Sequence, residues 1–158
     1  MKALSILTAL LVALVFAPGA LAQDHMAEIN QSGDDNLADQ LQYDGAFNEV
    51  FIVQSGDDNV AYQEQYGGDD NSADISQSGD FNTADQLQYD GDNNVASAFQ
   101  SGDDNVAYQE QYGGDDNFAD TFQSGDFNDA FQVQYGDGHT AIISQTGNGN
   151  VATQDQSN

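Results

Sequence analysis

The seventeen residues Ser55 to Asn71, SGDDNVAYQEQYGGDDN, return letter for letter at Ser101 to Asn117. Nine of them are acids or amides, so the phrase is too polar for an ordinary core and its information lies in its spacing. Aligned on Asn59 and Asn105, the chain shows a unit of Asn, any residue, Ala, three residues and Gln, followed by a short Gly-Asp turn. The first place is held by Asn36, Asn48, Asn59, Asn71, Asn82, Asn94, Asn105, Asn117, Asn128 and Asn150, and by His25 and His139. Ala fills the third place in every unit except that of Val50. The seventh place is always Gln: Gln31, Gln42, Gln54, Gln65, Gln77, Gln88, Gln100, Gln111, Gln123, Gln134, Gln145 and Gln156.

Places 1, 3, 5 and 7 share one face of a β-strand and scatter around a helix, so the spacing predicts twelve strands of about seven residues, each opening on its Asn or His. The fifth place divides them. Units starting at 25, 48, 71, 94, 117 and 139 carry Ile29, Ile52, Ile75, Ala98, Thr121 and Ile143; the alternate units carry Gln40, Gln63, Gln86, Gln109, Gln132 and Gln154. The repeat is therefore a pair of unlike strands with a 23-residue period, and the opening phrase recurs at 46 residues because two periods are duplicated. Turns after the first class have four residues and hold Gly33, Gly56, Gly79, Gly102, Gly125 and Gly147; those after the second mostly have five and open on Tyr. Glycine supplies the positive φ that such turns need.

One strand pair with two turns makes one coil. Six coils stacked at ~4.8 Å give an all-β fold: a parallel two-sheet β-solenoid, amyloid-like in its repetition, roughly 29 Å tall. Stacking sets like over like, and a column of Asn or Gln amides, each with two donors and two acceptors, can bond from coil to coil. The amides and the six turn glycines named above are thus the expected stacking residues.

Residues 1–22 stand apart: Lys2, an apolar run from Ala3 to Ala17, then Pro18-Gly19 and Ala20-Leu21-Ala22 have the form of a secretory signal peptide cleaved after Ala22. The remaining 23–158, the solenoid domain, hold all 27 acidic residues and no Lys or Arg. Such a charge repels phosphate backbones and anionic headgroups, which argues against nucleic acid and leaves cations and copies of the same chain as partners. There is no Cys, so no disulfide contributes to order. The column Asp34, Asp57, Asp80, Asp103, Asp126 sets carboxylates ~4.8 Å apart, roughly 0.9 kcal/mol of repulsion per pair in water. About five amide contacts per coil at about 1 kcal/mol each exceed it. With the first unit starting just after the cleavage point and the last ending just before the C-terminus, both solenoid ends are expected to be uncapped, so that copies add head to tail.

The stretch Gln145-Thr-Gly-Asn-Gly-Asn150-Val-Ala152-Thr-Gln-Asp-Gln156 resembles the Gln-x-Gly-x-Gly-Asn-x-Ala-x3-Gln portion of the curlin repeat, and the other units match with Asp, Phe or Asn in the second Gly place. The resemblance covers essentially all of 23–158. It implies a major-subunit-like structural protein: exported unfolded across both membranes of a Gram-negative cell, started by a nucleator subunit, and assembled at the cell surface into amyloid fibres of the biofilm matrix for adhesion. The partners so implied are the chain itself, a nucleator and the outer-membrane secretion machinery. Three departures stand out: the family's strand-opening Ser is Asn or His, the second turn Gly is mostly acidic, and the Gly-rich leader of the best-known members is absent.

Other chemistries weigh less. Gly-Gly-Asp-Asp-Asn at 67–71 and 113–117 invites calcium, but the calcium β-roll repeats every nine residues, so a loosely held cloud of divalent cations is expected and no specific metal site or cofactor. His25 and His139 stand nearly a full stack apart and read as substitutes in the Asn column. Tyr43, Tyr66, Tyr89, Tyr112 and Tyr135 form a turn column. Acids that recur by register, without a Cys or Lys beside them, make no catalytic pocket, so no enzyme is expected. The alternatives to a fibre subunit are a soluble binding module for polysaccharide, ice or calcium, whose outward ranks should be regular, and a minor nucleator.

Overall fold

The computed structural model describes residues 24–157, so the expected signal segment lies outside the described residues. One sheet is built from β1 (Met26–Ser32), β3 (Glu49–Ser55), β5 (Ser72–Ser78), β7 (Val95–Ser101), β9 (Phe118–Ser124) and β11 (Thr140–Thr146), in that order. The facing sheet runs β2 (Leu37–Tyr43), β4 (Val60–Tyr66), β6 (Thr83–Tyr89), β8 (Val106–Tyr112), β10 (Asp129–Tyr135) and β12 (Val151–Ser157). All neighbours are parallel, and each residue lies beside its counterpart one period on, as Gln63 lies beside Gln86 and Ile52 beside Ile75. The fold is a two-sheet β-solenoid of six coils.

Each strand starts one residue later than the spacing predicts. Asn sits at the corner, because the residue before it has left-handed backbone in every unit, from Asp24 at φ 55° to Gly149 at 70°. Six of those places hold Asp and one holds Asn, residues whose short side chains tolerate this conformation. At Phe47, Phe81 and Phe127 a bulky residue is held there.

Between the sheets, alternate residues of every strand turn inward. Ala columns and the Ile52, Ile75, Ala98 column form a thin apolar seam, with Ile29 packed against it. Most buried side chains are nevertheless polar, including Gln63, Gln132 and Gln134 at 0 % exposure. Such a core holds only if its amides are paired.

The turns stack as closely as the strands. A Cβ added at Gly79 would lie 2.2 Å from the carbonyl oxygen of Gly102, on the coil above. Only glycine lets these carbonyls approach, and they serve as acceptors, as Gly102 O does for Asn82 Nδ2 at 2.7 Å.

Candidate functional site in the stacked amide ladders

Three glutamine columns run the length of the solenoid. In the first sheet Gln31 Nε2 donates to Gln54 Oε1 at 2.6 Å, and the chain of bonds continues through Gln77, Gln100 and Gln123 to Gln145 at 2.8 to 2.9 Å. In the second sheet Gln42 begins a column through Gln65, Gln88, Gln111 and Gln134 to Gln156. The third, the extra column of that sheet, runs from Gln40 through Gln63, Gln86, Gln109 and Gln132 to Gln154.

The second N–H of these amides crosses the core to backbone of the other sheet. Gln63 Nε2 reaches Phe51 O at 3.0 Å, Gln77 Nε2 reaches Val60 O at 3.0 Å, and Gln111 Nε2 reaches Val95 O at 3.0 Å. A glutamine inside the stack, such as Gln63, therefore ties its coil to the next and its sheet to the facing one. Removing one leaves a buried carbonyl of the neighbouring rung without a donor, a loss of about 1–3 kcal/mol.

Asparagine acts at the corners and bonds chiefly to backbone. Asn48 Oδ1 accepts the Asn71 N–H at 2.8 Å while Asn48 Nδ2 donates to Gly68 O at 3.0 Å. In the column from Asn36 to Asn150 the amides also bond one another, as Asn82 Nδ2 does to Asn59 Oδ1 at 3.1 Å. His25 takes the acceptor's part on the first rung, its Nδ1 receiving the Asn48 N–H at 3.3 Å. His139 is bound by its own N–H to Asn117 Oδ1 at 2.9 Å, and its Nε2 lies 2.9 Å from Tyr135 O.

Two roles are invisible to residue spacing. The turn aspartates are acceptors: Asp57 Oδ1 takes the Asp34 N–H at 2.7 Å, Asp80 Oδ1 takes that of Asp57 at 2.9 Å, and Asp69 Oδ1 takes that of Ala46 at 2.7 Å. Carboxylates that read as a column of repulsion thus also clasp successive turns, and a bond to a charged acceptor is about twice as strong as a neutral one. Thr121, in the Ile column, turns its hydroxyl across the core to Gln132 Oε1 at 3.0 Å and accepts from Gln109 Nε2 at 3.1 Å. A polar β-branched residue in an Ile place, opposite glutamine, was the available sign.

Outside the core, the Tyr column stacks along the turns, with ring centroids of Tyr112 and Tyr135 at 5.2 Å and planes 9° apart. On the outer face of the second sheet Asp85 lies between Tyr62 and Tyr108 on the adjacent strands. Its carboxyl is pushed up by desolvation and by the charges of Glu64 and Glu110. Glu110 accepts a hydrogen bond from Tyr108, which with burial and the same charge holds the phenol well above its usual range.

Against known families, the curlin associated repeat matches residues 68–97 and 114–147, from the turn before β5 to the turn after β11. The chain carries this repeat in its central coils. No curated protein matches it. The matched segments include curlin turn glycines Gly79, Gly91, Gly125 and Gly147 and glutamines of all three ladders. The strands outside them, β1 to β4, β8 and β12, keep the same register.

Proposed function

We propose that this chain is the structural subunit of a curli-type amyloid fibre, exported by its N-terminal signal peptide and polymerised outside a Gram-negative cell, where the fibre serves adhesion and the biofilm matrix. The carrying observation is that every inward column continues unbroken through six coils, so a seventh coil supplied by another copy meets the same pattern. The uniform register favours a major subunit that elongates from a separate nucleator after passage through an outer-membrane pore. Acids spread evenly along the turns suit a diffuse divalent counterion cloud.

The test is dilution of residues 23–158 from denaturant. A fibre subunit gives dye-binding growth with a lag, removal of the lag by preformed seeds, and a reflection near 4.8 Å along the fibre axis. A folded chain that stays monomeric at all concentrations and ignores seeds would be a binding module, and the proposal would fail.

A further inference from the structure

The glutamine ladders have a direction. In all three columns Nε2 belongs to the earlier coil and Oε1 to the later one: Gln40 donates to Gln63 at 2.9 Å, Gln86 to Gln109 at 2.7 Å, and Gln132 to Gln154 at 3.1 Å. A row of amides aligned in this way ends with spare oxygens on one side and spare N–H groups on the other. Both kinds are present. Gln40 and Gln42 are only 2 % and 7 % exposed, yet the Oε1 of each accepts no hydrogen bond. At the opposite end Gln154 accepts from Gln132, and its Nε2 donates to nothing among the described residues. Gln156 Nε2 spends one N–H on Thr140 O and keeps the other.

We propose that these two ends form one joint of fixed polarity and register: Gln154 and Gln156 of one copy donate to the buried Oε1 atoms of Gln40 and Gln42 of the next. The partner is a second copy of this chain, so the proposal rests on the fibre reading above and specifies its contact. β12 then lies beside β2 and β11 beside β1 without slip, setting Gln145 under Gln31 and Asn150 under Asn36. Two N-terminal ends brought together would set oxygen against oxygen, and two C-terminal ends would set N–H against N–H. All copies in a fibre therefore point one way.

Two further features fit this joint. The turn-glycine column passes from Gly33 to Gly147 with each glycine packed under the next carbonyl, but above Gly147 the nearest atom to an added Cβ is 3.8 Å away and belongs to its own turn, at Asn150. Gly33 of the next copy would complete that contact. Histidine replaces Asn only on the first and last rungs of its column. His25 Nδ1 already accepts a backbone N–H from the rung above. With His139 Nε2 donating to the Tyr135 carbonyl, the neutral ring keeps Nδ1 as an acceptor for the His25 N–H of the next copy.

Seeded elongation of residues 23–158 tests the joint. Gln154→Glu keeps the oxygen that Gln132 uses and removes only the spare donor, whereas Thr153→Glu adds the same charge on the outward face of the same strand. At neutral pH Gln154→Glu should elongate on wild-type seeds at least tenfold more slowly than Thr153→Glu. Below about pH 4, where a free carboxyl regains its proton, its rate relative to wild type should recover. Equal rates for the two variants, or no recovery in acid, would overturn the joint. A second measurement does not depend on that variant folding: chains bearing Thr153→Cys and chains bearing Asp39→Cys are co-assembled and oxidised. Cross-linking should appear in the mixture and not with either chain alone. Fibres lacking that cross-link overturn the joint while leaving the fibre reading intact, and a wild-type chain that forms no fibres overturns the fibre reading itself.

Discussion

Phe127 carries the most evident local strain in the solenoid. Its φ is 58°, it is 61 % exposed, and the corresponding places one and two coils earlier hold Asp104 and Phe81. A side chain that points into solvent offsets little of the clash between Cβ and carbonyl that left-handed backbone imposes on a bulky residue, about 1–2 kcal/mol. Asn relieves it through a short side chain that bonds locally. Phe127→Asn should therefore raise the stability of the monomer by about 1 kcal/mol, read as a higher urea midpoint with unchanged slope. An unchanged or lower midpoint would mean that the ring packs on the coil more than its exposure indicates.

At the scale of the strand, identity at 23-residue intervals makes both sheets legible in the sequence. Like residues must stack in a parallel ladder, and the alternation of Ile52 and Ile75 with Gln63 and Gln86 separates one sheet from the other. What the spacing hides is the aim of individual polar groups. It placed Asn inside the strand, whereas the amide reaches both neighbouring turns only from the corner, as Asn59 does to Ser55 O and Gly79 O. Between coils it shows the turn aspartates only as repulsion, since an Asp Oδ1 accepting a backbone N–H from the coil below leaves no mark in composition. The direction of the amides is likewise illegible, because a glutamine flipped about its amide has the same letter.

The outer face of the second sheet shows where charge does cost stability. Asp85 is half-buried beside Glu64 and Glu110, and its carboxyl is raised above the usual value by desolvation first and by those two charges second. Folding then binds protons: the penalty is absent below the unfolded pKa and fully present above the folded one, so stability falls as pH rises between them. Asp85→Asn should stabilise the neutral protein by about 1 kcal/mol or less, as befits a partly screened site. The gain should vanish below about pH 4. Denaturant midpoints of the two proteins measured from pH 3 to 7 check it, and a gain that persists in acid would assign the effect to packing.

For the whole molecule, coil-by-coil construction makes length adjustable only in whole periods. Deleting residues 72–94 removes β5 and β6 and joins Asn71 to Val95, so that β3 meets β7 with Gln54 beside Gln100, and β4 meets β8 with Gln63 beside Gln109. Every column stays closed, and the shortened chain should fold cooperatively with a denaturant slope lower by about a sixth, in proportion to surface buried. Deleting only residues 72–82 removes one strand and its turn but exchanges the classes of all later strands. Gln86 then faces Ile52, and Gln63 faces Ala98, which can accept nothing. Each orphaned amide costs about 1–3 kcal/mol in a core with little apolar area to compensate. The half-coil deletion should thus lose cooperative unfolding by circular dichroism although it is the longer chain. If the two deletions fold equally well, generic strand stacking holds this solenoid together, and the matching of amide to amide contributes little.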